Sequence, residues 1–122
     1  MSKPKILVVD DDERILFAFN ELLEKEGYES IEARDGAEAL KKFETEQPQV
    51  VLLDLAIPII DGFEALKEIK KKNEMIPIIV ITGQGTQHSA EEVLKQGAFE
   101  YLTKPVSIKK IRKVIRKALS RK

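Results

Sequence analysis

The chain has no cysteine and a single histidine, His88. Disulfides, thiolate chemistry, cysteine-bound metals and multi-histidine zinc sites are therefore excluded. It has no surplus of charge either: 21 basic side chains balance 21 acidic ones, so the overall basic character of a polyanion binder is missing. Long apolar runs are also lacking. The first, Ile6 to Val9, meets three aspartates at once and is too short for a signal peptide or a membrane span. No linker, repeat or low-complexity tract interrupts the sequence. What is present is 43% hydrophobic and 34% charged residues over 122 positions, enough for one core and too few for two. One cytoplasmic domain over residues 3–121 is expected, with no membrane contact and no direct nucleic-acid contact.

The apolar segments alternate in kind. Short β-rich stretches at Lys5–Val9, Glu29–Ala33, Val50–Leu53, Ile76–Ile81 and Phe99–Leu102 each precede a longer segment with helical spacing. That alternation predicts an α/β fold, (βα)₅, on a parallel sheet. The first, third and fourth strands are nearly continuous hydrophobic runs, which places them centrally, buried on both faces. The more polar second and fifth fit the edges. Helix signals are explicit. The first helix starts after Asp12, turns Ile15, Phe19, Leu22 and Leu23 inward, and ends at Gly27, a residue suited to a left-handed cap. Asp35 with Glu38, and Ser89 with Glu92, have capping-box spacing for the second and fourth helices. The third helix runs from about Gly62 with Phe63, Leu66 and Ile69 inward. The fifth is capped by Ser107 and buries Ile108, Ile111, Ile115 and Leu119.

In open sheets of this kind the ligand site lies beyond the carboxyl ends of the strands. Those ends hold Asp10, Asp11 and Asp12 after the first strand, Asp54 after the third, Thr82 after the fourth and Lys104 after the fifth. An aspartate at a strand end commonly just caps the next helix, and Asp12 fits that role. The remainder, gathered from separate strands onto one edge, point to a site. Crowded carboxylates repel and raise one another's pKa unless a cation joins them. Oxygen donors without clustered histidine or cysteine favour Mg²⁺, which shares its shell with phosphate. Lys104 and the Thr82 hydroxyl suit phosphoryl oxygens.

Four segments together, Ile6 to Asp12, Leu52 to Gly62 with Pro58 and Asp61, Val80 to Gly83, and Tyr101 to Pro105, resemble the receiver domain of bacterial two-component systems. In extent the chain is similar to single-domain regulators of chemotaxis or of a sporulation phosphorelay. The resemblance implies a flavodoxin-like doubly wound sheet of order 2-1-3-4-5. It makes Asp54 the acceptor of a phosphoryl group from a phosphohistidine on a sensor histidine kinase or a histidine phosphotransfer protein. It makes Asp10 and Asp11 the acid pair for Mg²⁺, Asp11 the more direct ligand, joined by Asp54 and the carbonyl of Ala56. Thr82 and Lys104 then read the phosphoryl group and Tyr101 is the switch aromatic. Carboxylate attack on phosphorus needs neutralising charge on both sides, and the acyl phosphate that results draws Thr82 in and opens space for Tyr101. The output protein or effector domain is expected on the face of the fourth helix, fifth strand and fifth helix. The protein is expected as a monomer or a weak phosphorylation-dependent dimer, catalysing its own phosphorylation and dephosphorylation and no other reaction.

Some features depart from that pattern or compete with it. Ile57 and Ile60 stand where many receivers have Met, and Gly83 where many have Ala; Gly83-Gln84-Gly85-Thr86 is rich in glycine. Neither nucleotide-binding glycine motif is present. His88 is read as a solvated residue, and the basic final helix as a solvated face able to meet an acidic partner. An aspartyl-phosphate phosphatase of the haloacid-dehalogenase kind would need a second acid two residues past Asp54, where Ala56 stands. A degenerate scaffold would have lost part of the set, and none is lost.

Overall fold

Strand β1 (Lys5–Val9) leads into helix α1 (Glu13–Lys25), and the same step recurs along the chain. It continues through β2 (Glu29–Ala33), α2 (Gly36–Glu46), β3 (Val50–Leu53), α3 (Gly62–Lys72), β4 (Ile78–Thr82), α4 (Gln87–Lys95), β5 (Glu100–Thr103) and α5 (Ile108–Leu119). The arrangement comes from a computed structural model that describes residues 3–83 and 87–120. All strand pairs are parallel, and the order is β2-β1-β3-β4-β5. In register, Leu7 lies opposite both Ile31 and Val51, Val51 opposite Ile78, and Val80 opposite Tyr101.

Alternation along each central strand feeds two cores. Leu7, Val9, Val51, Leu53, Ile78 and Val80 face one way, toward Phe43 of α2, Leu66 and Ile69 of α3 and Val93 of α4. Ile6, Val8, Val50, Leu52, Ile79 and Ile81 face the other, toward Leu16 and Leu23 of α1 and Ile111, Val114 and Ile115 of α5. A strand covered by helices on both faces has no polar positions, which is why these sequences read as unbroken apolar runs. The polar strands β2 and β5 are the edges, as expected.

Helix ends follow their caps. Asp12, Asp35, Asp61 and Ser107 each accept a hydrogen bond from a backbone N–H of the first turn. Helices α1 and α4 finish alike, on Gly27 at φ 87° and Gly97 at φ 101°. Tyr28 N–H then reaches Leu23 O and Ala98 N–H reaches Val93 O, both at 2.9 Å. This is the closing bond of a Schellman end.

The structure corrects several sequence expectations. Strand β4 begins at Ile78, not Ile76, after Pro77, which lacks an N–H and contributes to the ladder only by accepting from Val51 N. Strand β5 is Glu100–Thr103, one residue later than expected. Helix α4 begins at Gln87, so Ser89 is inside its first turn and is not its cap. In α1 the deeply buried residues are Leu16 and Leu23; Ile15, Phe19 and Leu22 are turned toward α5 and only partly covered. Ile108, in the first turn of α5, lines the groove beside α1 and is 58% exposed, whereas Val114 and Ala118 are buried.

Candidate functional site

Backbone bonding carries the sheet one step past its strands and fixes the site. Asp10 N–H donates to Ala33 O (3.1 Å), Asp54 N–H to Val9 O (3.0 Å), and Lys104 N–H to Thr82 O (2.9 Å). Side chains from the ends of β1, β3, β4 and β5 are therefore set side by side by the register of the sheet. Among the described residues the buried polar ones are Asp10, Asp54 and Thr82, at 3%, 6% and 1% exposure. Buried charge is costly unless paired. Here the pairing comes from Lys104, whose ammonium is 2.8 Å from Asp10 Oδ2 and 2.9 Å from Asp54 Oδ2. The other oxygens are also engaged. Asp10 Oδ1 accepts from Asp12 N–H and Asp54 Oδ1 from Ala56 N–H, both at 3.0 Å.

Burial, the largest influence, pushes the Asp10 carboxyl above its ordinary pKa, against the lowering effect of Lys104 and of Asp12 N–H. For Lys104 burial works against the charge, but its hydrogen bonds to Asp10 and Asp54 outweigh it and the pKa is raised. The site is thus two carboxylates bound to one firmly charged ammonium.

The loop after β3, which carries Ala56, is held from two sides. Gly36 N–H donates to Pro58 O (3.2 Å) and Gly62 N–H to Leu55 O (3.0 Å). At both glycines the backbones touch: a β-carbon on Gly36 would lie 1.8 Å from Ile60 O, and one on Gly62 would lie 2.3 Å from Leu55 Cα. Between these anchors Ile59 takes a left-handed φ of 72°.

The sequence-derived set is thus brought together in part. Asp10, Asp54 and Lys104 meet directly, and Thr82 is buried at the neighbouring strand end. Asp12 spends its carboxylate on the cap of α1 and on Arg14. Asp11 is exposed at the rim. Among the described residues no three acidic or histidine side chains are grouped as metal ligands, and the Lys104 ammonium bridges Asp10 and Asp54. The donor chemistry nonetheless fits a hard divalent ion. Asp10, Asp11, Asp54 and the Ala56 carbonyl offer oxygen alone, on one edge. His88 is exposed on α4 rather than in the preceding loop. Gln84, Gly85 and Thr86 lie outside the described residues. Tyr101 is half-buried against the core beneath α4, its hydroxyl 2.8 Å from Ser89 Oγ. The sequence reading gave Ser89 a different role, and Gly36 none. A groove of about 740 Å³ between α1 and α5, lined by Ile15, Phe19, Leu22, Pro105, Val106 and Ile108, has Lys104 in its wall.

Comparison with known proteins points to one family. A family model described as the response regulator receiver domain matches residues 6–116. Sporulation initiation phosphotransferase F of Bacillus subtilis is 40% identical over 119 residues, covering 98% of this chain and 96% of that protein. The alkaline phosphatase synthesis transcriptional regulatory protein PhoP of the same organism is also 40% identical, over 96% of this chain but 49% of that protein. The chain therefore spans about half the length of that relative. Among solved structures, a CheY-like receiver domain protein from Methanospirillum hungatei is similar with a TM-score of 0.94 at 34% identity, covering 98% of this chain and 95% of that one.

Proposed function

This chain belongs to the response regulator receiver family, and from that premise we propose that Asp54 is its phosphoacceptor. The observation that carries the assignment is the Lys104 ammonium bound to both Asp10 and Asp54 in a buried site. The Asp54 carboxylate attacks the phosphorus of a phosphohistidine; the P–N bond breaks, and the imidazole nitrogen leaves with the electron pair and takes up a proton. Asp54 has its Oδ1 oriented by Ala56 N–H, which leaves Oδ2 on the Lys104 side to attack. Lys104 then places its charge on a phosphoryl oxygen, and the Thr82 hydroxyl donates to another.

Receiver domains are generally Mg²⁺-dependent. In this chain Asp10, Asp11, Asp54 and the Ala56 carbonyl would hold the ion, which when bound neutralises negative charge on the phosphoryl oxygens. Asp10 and Asp54 would exchange part of their bonding to Lys104 for it. The phosphatase reading is not favoured: Ala56, where a second acid would stand, is a small exposed residue with nothing to protonate a leaving group.

The partners follow from the family. Receivers take phosphate from histidine kinases or phosphotransfer proteins and act on output domains; here the donor is a kinase or a phosphotransfer protein, and the output face is formed by α4, β5 and α5. The α1–α5 groove, with Lys104 in its wall, gives an apolar landing surface beside Asp54. Residues 3–121 act as one receiver unit in the cytoplasm, monomeric or weakly dimeric when phosphorylated. Among the described residues no helix is long and apolar enough to cross a membrane.

The test is intact-mass measurement after treatment with a small phosphodonor. One phosphoryl group should be added in Mg²⁺ and none in EDTA, and Asp54→Asn should gain none. Full labelling of Asp54→Asn would refute the assignment.

A further inference from the structure

Helix α4 is the least anchored of the five. Among its described residues Val93 alone is buried, while α5 buries Ile111, Val114, Ile115 and Ala118. A single polar contact therefore weighs more in holding α4 than in holding its neighbours. That contact is present at the amino end of the helix, where Ser89 Oγ and the Tyr101 hydroxyl are 2.8 Å apart. It joins α4 to β5. The chain runs from Thr82 at the end of β4 into α4, and Tyr101 sits on the strand that flanks β4, opposite Val80. Ser89 thus touches both routes by which an event at Asp54 can reach this face.

A serine at this place needs a reason. Serine is a weak helix former because its hydroxyl competes for backbone groups. In α4, which begins at Gln87, the Ser89 hydroxyl has the Tyr101 hydroxyl as one partner. Lys104 bridges Asp10 and Asp54, a pairing open to an Asp54 that carries no phosphoryl group. A phenol hydroxyl sits at the far end of a long side chain, so rotation of the ring about its first dihedral carries the oxygen several times further than a hydrogen bond stretches.

We propose that Ser89 is a positioning residue that latches Tyr101 to α4 before phosphorylation, so that the switch must break the Ser89–Tyr101 hydrogen bond. The inference rests on the phosphoacceptor reading above and adds to it a residue outside the acceptor site. The latch biases the chain toward its resting state, and its loss shifts the balance by the net worth of one hydrogen bond, about fivefold in population.

Two measurements test it. The first uses no phosphoryl analogue: amide hydrogen exchange along α4 should be about fivefold faster in Ser89→Ala than in the parent chain, and near the parent value in Ser89→Thr, which keeps the hydroxyl. The second titrates beryllofluoride in saturating Mg²⁺, followed by amide NMR of β5 and α4. Ser89→Ala and Tyr101→Phe should each half-saturate at about one-fifth of the parent concentration, and the double variant should gain nothing further, because both remove the same bond. Exchange of α4 unchanged by Ser89→Ala, equal half-saturation, or additive single effects would each overturn the latch. A parent chain that takes no beryllofluoride defeats the phosphoacceptor reading and the latch's role in switching with it. Exchange of α4 left unaltered by Ser89→Ala, when the parent chain does take beryllofluoride, defeats the latch alone.

Discussion

The two halves of the site are held by different means. On the acceptor side, Asp10 and Asp54 extend the central strands β1 and β3, share Lys104, and border a loop clamped by Gly36 and Gly62 against its own backbone. On the side proposed to respond, Thr82 leads into Gly83, whose β-carbon would find nothing among the described residues nearer than Lys104 Cδ at 3.8 Å, and then into α4, where among the described residues only Val93 is buried. A group that must receive phosphorus in line needs fixed geometry. An element that must shift needs two arrangements of similar energy. On the proposed phosphoacceptor reading, the difference is a division of labour within one sheet edge, with close backbone packing at Asp54 and a few polar contacts on the side toward α4.

The strongest way to break this contrast is to remove the shared cation. Lys104→Met leaves two buried carboxylates facing each other, at a cost of about 3–5 kcal/mol at pH 7. Denaturant titration in metal-free buffer reads the loss. The sign with pH is fixed by the two shifts. Lys104 has a raised pKa, so its contribution is full below its ordinary value and is lost only as pH rises through the raised one. Asp10 is raised as well, so it opposes the fold at neutral pH and ceases to do so as pH falls. The deficit of Lys104→Met should therefore shrink as pH drops through the Asp10 pKa; a constant deficit would mean that the buried pair is not its source.

Next in size is the clamp. Gly36→Ala forces a β-carbon into Ile60 O and should cost about 3 kcal/mol. It should also slow phosphorylation of Asp54, since the displaced loop carries Ala56. Stability near the parent value would show that the clamp yields easily. A cap offers a smaller effect: Ser107→Ala, losing the bond to Lys110 N, should lower stability by about 1 kcal/mol without changing the rate of phosphorylation. The smallest effect has the opposite sign. Gly83 does not take a left-handed φ and, among the described residues, has room for a methyl group, so Gly83→Ala should stabilise by about 0.4–1 kcal/mol, or about 2–4 °C in melting temperature. Destabilisation there would show that the responding side is as tightly packed as the acceptor side.

Much of this was legible in the residues. Central against edge strands and the caps Asp12, Asp35 and Ser107 follow from patterns that local chemistry enforces over short spans, whereas the strand order came only with the resemblance to receiver domains. The meeting of Asp10, Asp54 and Lys104 followed from the strand-end rule. Other parts need neighbours distant in sequence. Gly36 is required by Ile60, across two loops, and no local signal marks it. Ser89 with Glu92 imitates a capping box, so its spacing pointed to the wrong role, while its partner Tyr101 lies on another element. Asp11 adjoins Asp10 in sequence, but successive residues leaving a strand point to opposite sides, so one is buried and the other exposed.

The polar outer strands have a further consequence. Each leaves a row of backbone donors and acceptors without a neighbouring strand, which is where chains add to one another in aggregates. Glu29 and Glu32 on β2 and Glu100 on β5 stand along those rows. Glu32 is paired with Arg34 at 3.1 Å, so a second copy laid alongside β2 would meet chiefly the charge of Glu29, which opposes fibre growth in a chain whose net charge, being zero, gives it little colloidal protection.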